Sequence, residues 1–147
     1  MASARHYDIE SFVRALQAGS DHVFVYSRER LTPETAVLAE GCDAVCSFVN
    51  DDLCDATLEQ LAQFGVRVIA LRCAGADSVD LETARRLGLR VVNVPSYAPE
   101  SVAEFALALL LCLGRRLHRS YNRVRENNFD LSGLVGLQLH GKTAGVV

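Results

Sequence analysis

One punctuation recurs four times along the chain: a stretch at helical spacing, a glycine, then a short apolar run. Ile9, Phe12, Val13 and Leu16 recur at helical spacing ahead of Gly19, and His22–Tyr26 (HVFVY) reads as a strand. Thr32-Pro33-Glu34-Thr35 opens a second helix with an N-cap and a proline in the first turn, Gly41 closes it, and Asp43–Val49 (DAVCSFV) is the next strand. Leu58–Phe64 is helical up to Gly65, the strand Val66–Leu71 follows, and a fourth helix stops at Gly88 before a further strand. Helix and strand in strict alternation predict a parallel sheet. Right-handed crossovers put helices on both of its faces, so the expected class is α/β, doubly wound and flavodoxin-like.

The third of these apolar runs is the one that ends most abruptly. Val66, Val68, Ile69, Ala70 and Leu71 are apolar almost without alternation, Arg67 excepted, as in a strand covered on both faces. The run gives way to Cys73-Ala74-Gly75-Ala76, at the end of a parallel strand where open α/β sheets place their ligands. Main-chain N–H groups at Ala74 and Gly75, unobstructed by large side chains, suit an anion. The plainer reading is a tight strand-to-helix connection in which Gly75 serves only its backbone angles.

Two more turns fall at strand ends. Asn50-Asp51-Asp52 could be a phosphoacceptor, but the acidic cluster and lysine of receiver domains are not evident, and helix capping by Asp51 or Asp52 is the main expectation. In Pro95-Ser96-Tyr97-Ala98-Pro99, two prolines restrict the backbone around Tyr97, whose phenol is either a ligand donor or a half-buried loop aromatic. Five cysteines, Cys42, Cys46, Cys54, Cys73 and Cys112, lack C-x-x-C spacing, so neither a metal site nor a disulfide framework is expected. They read as small buried hydrophobes, with Cys73, in the ligand loop, a remote candidate nucleophile.

Ser101-Val102-Ala103-Glu104 has the form of a capping box and opens a helix that could run to about Asn127, roughly 40 Å. Phe105–Leu113 is apolar on every side, which predicts burial between layers. Farther on, Leu117, Tyr121 and Val124 continue an apolar stripe while Arg115, Arg119 and Arg123 form a basic one, either solvated or part of a subunit contact or anion patch.

Taken together, Arg72-x-Ala74-Gly75-x-Asp77-x-Val79-Asp80, Val94-Pro95-x-Tyr97-x-Pro99 and Val102-Ala103-Glu104 resemble the D-2-hydroxyacid dehydrogenases, and within them the D-lactate dehydrogenase branch. Weaker similarity extends from His6-Tyr7-Asp8 to His140-Gly141-Lys142-Thr143-x-Gly145-Val146. The resemblance implies an NAD-dependent oxidoreductase that moves a hydride reversibly between the cofactor and a small 2-hydroxy or 2-keto acid such as D-lactate and pyruvate. It implies that the N–H groups of Ala74 and Gly75 hold the carboxylate, that Tyr97 supports the substrate, and that Val102 faces the nicotinamide. It further implies a substrate domain over residues 1–100, an interdomain helix over 101–128 that contributes to a homodimer, and over 129–147 the first strand of a truncated Rossmann domain.

The chain also departs from that pattern. Family members begin with an apolar strand, whereas only Met1–His6 precedes Tyr7-Asp8, so the first strand is expected to be missing or eroded. The chain stops at Val147, ahead of the glycine fingerprint, the acidic residue for the ribose, and the family's arginine, glutamate and histidine. No catalytic residue is therefore expected within it, and the fragment alone should be inactive and bind NAD weakly. His118 and His140 read as surface or packing residues. The alternative function is a non-catalytic, dehydrogenase-derived binding or regulatory module resembling NAD-sensing corepressors. Of 147 residues half are hydrophobic, enough for a real core, and a net charge of -3 gives no footprint for nucleic acid. With no run long enough for a membrane span and no apolar signal core, a cytoplasmic location without a membrane partner is expected.

Overall fold

The computed structural model describes residues 1–16 and 21–146. Gly19, the expected end of the first helix, and Val147 lie outside them. The described chain forms two compact units, Met1–Tyr97 and Ala98–Val147.

The first unit is a parallel α/β sheet. Strands β1 (Ala44–Ser47), β2 (Val68–Leu71) and β3 (Arg90–Val92) lie side by side in that order, with Val45, Ile69 and Val91 in register. Helix α1 (His6–Ala15) precedes them, α2 (Asp55–Gln63) links β1 to β2, and α3 (Leu81–Arg86) links β2 to β3. Gly65 and Gly88 turn the chain out of α2 and α3 with φ of 89° and 71°, a region that costs a side chain energy but a glycine little. Asp80 caps α3 by accepting the Thr83 N–H at 2.9 Å.

Two further stretches extend the sheet without forming regular strands. Met1 pairs with the 25–29 segment as in a parallel ladder, through Val25 O and the Ser27 N–H, and on its other side the Ala2 N–H donates to Cys46 O in β1 at 2.9 Å. The first strand expected to be missing or eroded is eroded: residues 1–4 lie in its place without regular strand pairing, with Ala2 and Ala4 buried. Ser3 takes a left-handed φ of 49°, and beyond it the register slips, Ser3 N–H reaching Glu29 O and Ala4 N–H turning back to Ser27 O. That slip corrects the expected His22–Tyr26 strand: the partner is too short and too kinked to sustain a ladder, and Val23 stays 90% exposed. The order across the sheet, 25–29, 1–4, β1, β2, β3, is the flavodoxin-like one.

Burial alternates with the pleat. Val45, Ser47, Ile69 and Leu71 point to a core with Leu58 and Leu61 of α2, Ala84 of α3 and Ala36 and Ala39. The last two belong to a single 3₁₀ turn, Ala36–Ala39, where an α-helix was expected; Thr35 Oγ1 bonds back to Arg30 O at 2.6 Å, using the hydroxyl to tie the entry loop. The opposite face, with Ala44, Cys46, Ala70 and Val92, opens into a cavity of about 740 Å³ that also touches Phe12 and Val25. Cys42 and Cys46 line this opening, and Cys42, Cys46, Cys54 and Cys112 are all half-buried rather than core residues.

The second unit holds α4 (Pro99–Gly114) and α5 (Leu117–Arg125). The expected single helix from Ser101 to Asn127 is corrected at both ends. Pro99 occupies the first position, where its missing N–H costs nothing, so Ser101 sits inside the first turn and forms no capping box. Arg116 then breaks the helix with a φ of 53°. The break frees the Gly114 carbonyl, which accepts the Leu137 N–H at 2.7 Å, and Gly136 allows this crossing because a Cβ there would meet Gly114 O and come within 3.0 Å of Arg115 Cα. Arg116 and Arg123 donate to the carbonyls of Gly133 and Asp130, so one member of the basic stripe, Arg123, helps secure the returning chain. Phe105–Leu113 is not buried: Phe105 is 65% and Leu113 67% exposed, because no second layer covers α4 within this unit. Residues 142–146 form no strand, as no neighbouring strand is available to pair with them among the described residues. Among the described residues no helix is long and apolar enough to cross a membrane.

Candidate functional site

At the carboxyl end of β2 the chain leaves the sheet through Arg72 and enters the 73–76 loop. Two contacts from the segment after β3 hold the carbonyl side of this loop: Val94 N–H donates to Cys73 O at 3.1 Å and Asn93 Nδ2 to Ala74 O at 2.7 Å. Cys73 is buried, and its thiol donates across the loop to Gly75 O at 3.2 Å, so it serves as an internal brace. What remains unused is the donor side. The N–H groups of Ala74 and Gly75 meet no acceptor among the described residues, and both residues are exposed. Unpaired main-chain donors at adjacent exposed positions, at the end of a central parallel strand, are groups with the chemistry to take an anion.

Gly75 has an ordinary backbone angle, so the reading that it is needed only for its conformation does not hold. Its missing side chain matters for space instead: a Cβ would approach Asp77 Oδ2 to 3.2 Å. Asp77 places a negative charge beside the loop, and the nearest basic residue in sequence, Arg72, is committed elsewhere. Its Nη1 pairs with Asp8 Oδ1 at 2.6 Å, with both side chains nearly buried. The cationic partner that a bound carboxylate calls for is thus not among the groups lining this loop.

Of the other residues singled out, Tyr97 is 68% exposed and its phenol makes no hydrogen bond among the described residues; Val102 stands on α4, 59% exposed, in the other unit. Neither carries geometry that assigns it a ligand. Asp51 caps no helix and is no phosphoacceptor: it is 2% exposed and accepts from Ser3 Oγ, Leu31 N–H and Phe48 N–H at 2.6, 2.9 and 2.7 Å. Asp52 caps no helix either: Cys54 is the N-cap of α2, and Asp52 only braces the turn before it by taking the Cys54 N–H at 3.2 Å. The sequence reading missed the Arg72–Asp8 pair. Its signal was present in the Tyr7-Asp8 and Arg72-x-Ala74-Gly75 fragments of the resemblance, but sequence spacing alone could not reveal that they meet.

No group of three or more metal-ligating side chains occurs among the described residues. A dinucleotide also finds no cradle in the residues present, since no G-x-G-x-x-G follows a strand.

Comparison with known proteins concerns the chain as a whole. The chain is 56% identical over 117 residues to D-lactate dehydrogenase of Escherichia coli, which covers 80% of this chain and 36% of that protein. It is 48% identical over 145 residues to a 2-hydroxyacid dehydrogenase homolog of Zymomonas mobilis, 99% of this chain and 44% of that one. The apo structure of the Escherichia coli D-lactate dehydrogenase superposes with a TM-score of 0.82 at 46% identity, over 97% of this chain and 45% of that chain. A D-lactate dehydrogenase from Aquifex aeolicus complexed with NAD and lactic acid superposes with a TM-score of 0.76 at 27% identity, covering 94% of this chain and 40% of the other. The chain thus spans less than half the length of these relatives. The family model for the catalytic domain of D-isomer specific 2-hydroxyacid dehydrogenases matches residues 2–144, so the sheet, its open donor loop and nearly every described residue fall within one match, and the chain belongs to that family.

Proposed function

We propose that the chain supplies the substrate-holding part of an NAD-dependent D-2-hydroxyacid dehydrogenase acting on D-lactate and pyruvate. The observation that carries this reading is the pair of unpaired N–H groups at Ala74 and Gly75. The unit Met1–Tyr97 is the substrate domain, in which those two donors take the carboxylate of a 2-keto or 2-hydroxy acid and Tyr97 flanks the substrate. Main-chain donors bind a carboxylate in both directions of the reaction, because it carries the same charge in lactate and pyruvate. They therefore orient the substrate without distinguishing its oxidation state.

NAD supplies the hydride acceptor when bound, but the residues of this chain do not build its site: Val102 is a single exposed apolar side chain facing, in this reading, the nicotinamide side. Nor does the chain contribute the proton donor. It acts in the cytoplasm as part of a homodimer, with α4 and α5 at the subunit contact.

The test is a titration of this chain with pyruvate, followed through the backbone amide resonances of Ala74 and Gly75. Those two amides are expected to move together and ahead of the rest. If they stay fixed while others respond, or if nothing responds, the carboxylate seat is wrong.

A further inference from the structure

A nearly buried ion pair is an uneconomical way to stabilise a small sheet, because both charges lose water and the gain seldom exceeds that loss. Arg72 makes the point more sharply. Besides its 2.6 Å pair with Asp8, its Nη2 donates to Ala2 O at 2.9 Å and approaches Ser3 O at 3.4 Å, and its guanidinium lies 4.9 Å from the centroid of the Phe48 ring. Its Nε is buried without a partner. An apolar residue in this place would avoid both the desolvation and the orphaned donor, so the guanidinium does something that stability alone does not account for.

What it contacts suggests the role. Asp8 belongs to α1, Ala2 to the segment inserted beside β1, and Phe48 to the turn after β1. That turn is closed by Asp51, whose N–H donates to Phe48 O and whose carboxylate takes the Phe48 N–H. The main chain of Arg72 is tied as well, its N–H donating to Ser47 O at 3.0 Å. Arg72 is therefore fixed through backbone and side chain together, two residues before Ala74. A planar fork is required: only a guanidinium can face a ring, bond a carbonyl and pair with a carboxylate at once.

We infer that Arg72 is a positioning residue that sets the direction of the Ala74 and Gly75 donors, with Asp8 holding it in register. It touches no substrate and acts through the loop it precedes. This inference rests on the carboxylate reading above, and concerns which residue governs that seat.

The experiment is the pyruvate titration repeated on Arg72→Lys, Asp8→Asn and the double variant, with thermal melting recorded alongside. R72K keeps the charge opposite Asp8 but loses the fork and the flat face. Its Ala74 and Gly75 amides are expected to respond with roughly tenfold weaker apparent affinity, about one lost charge-assisted hydrogen bond's worth of orientation, while the melting temperature changes little. D8N is expected to weaken binding in the same way, and the double variant no more than either single one, since both act through one device. For Arg72→Ala, a few millimolar methylguanidinium should restore part of the response. Should R72A not fold, R72K and D8N decide alone. If wild-type amides respond and R72K responds equally well, the inference is overturned while the carboxylate seat stands. If binding in R72K falls only in step with its melting temperature, Arg72 is a scaffold residue and the inference is likewise overturned. If the wild-type amides do not respond, the carboxylate reading fails first and takes the inference with it.

Discussion

Asparagine in place of Asp51 should damage this fold far more than its isosteric shape suggests. In the structure one carboxylate oxygen receives Ser3 Oγ and the Leu31 N–H, and the other receives the Phe48 N–H. An amide can replace the first oxygen, but its NH₂ then faces the Phe48 N–H donor to donor. One bond to a charged acceptor is worth about 1.5 to 3 kcal/mol, and stranding a buried donor costs about 1 to 3 kcal/mol, partly offset because the neutral amide is cheaper to bury than the carboxylate. A net loss of about 2 kcal/mol follows for Asp51→Asn. Asp51→Ala strips all three bonds; about 3 to 5 kcal/mol is expected once the relieved desolvation is subtracted, a large share of the 5 to 15 kcal/mol of a typical domain. For a unit of this size 1 kcal/mol moves the midpoint by about 4 to 8 °C, so D51N should melt roughly 8 to 16 °C below wild type by calorimetry or circular dichroism. A D51N sample melting within about 3 °C of wild type would refute the reasoning, since it would mean that the Phe48 N–H finds another acceptor at no cost.

Gly75→Ala should leave stability within about 0.5 kcal/mol, because its Cβ meets only the end of an exposed Asp77 side chain, yet abolish the pyruvate response of the neighbouring amides; melting and titration on one sample check both halves. The Thr83 N–H holds the Asp80 carboxyl below its ordinary aspartate value. Since the folded-state pKa is the lower one, the stabilisation is complete above the unfolded value and vanishes as pH falls through the folded one, so the melting gap between wild type and Asp80→Ala should be open at neutral pH and close in strong acid. Burial pushes the Cys46 thiol up against a smaller opposing pull from Arg72, so mass spectrometry after brief iodoacetamide treatment at neutral pH should find Cys46 among the last cysteines alkylated. Phe105 and Leu109 are exposed on α4, so the chain should bind a hydrophobic dye, and Phe105→Glu with Leu109→Glu should lower that binding without shifting the melting of the sheet.

What could be read beforehand follows the range of the interactions. Gly41, Gly65 and Gly88 all take a positive φ where the punctuation placed them, and the parallel sheet follows from alternation, because turns and periodicity are local properties. The 73–76 loop was legible as a position, since small residues after an apolar run mark the end of a strand. Features that depend on distant partners were not. Met1–His6 looked too short to hold the first strand, yet Ala2 and Ala4 are buried because β1 and the 25–29 segment close on both sides of them. Asp51 looked like a cap because a carboxylate ahead of a helix often is one; its real partners, Ser3 and Leu31, are 48 and 20 residues away. The 101–127 helix looked continuous because propensity runs straight through Arg115 and Arg116, and its break answers to Leu137 and Gly136, much later in the chain.

The insertion of residues 1–4 between β1 and the 25–29 segment also fixes an order of assembly. Consecutive crossovers from β1 through α2, β2 and α3 to β3 close over short stretches of chain, whereas the bond from Arg72 to Ala2 spans 70 residues and that from Ser3 to Asp51 spans 48. Loop-closure entropy delays such distant contacts until the nearer ones exist. The three central strands therefore form the nucleus, and the segment that sits beside them is threaded in last, although it is the earliest of the described residues to be synthesised. Until it arrives, the Cys46 edge of β1 is an unpaired strand edge. Substitutions at Ala2 or Ala4 should then speed unfolding while leaving the folding rate nearly unchanged, the reverse of what Ile69 or Leu58 should show.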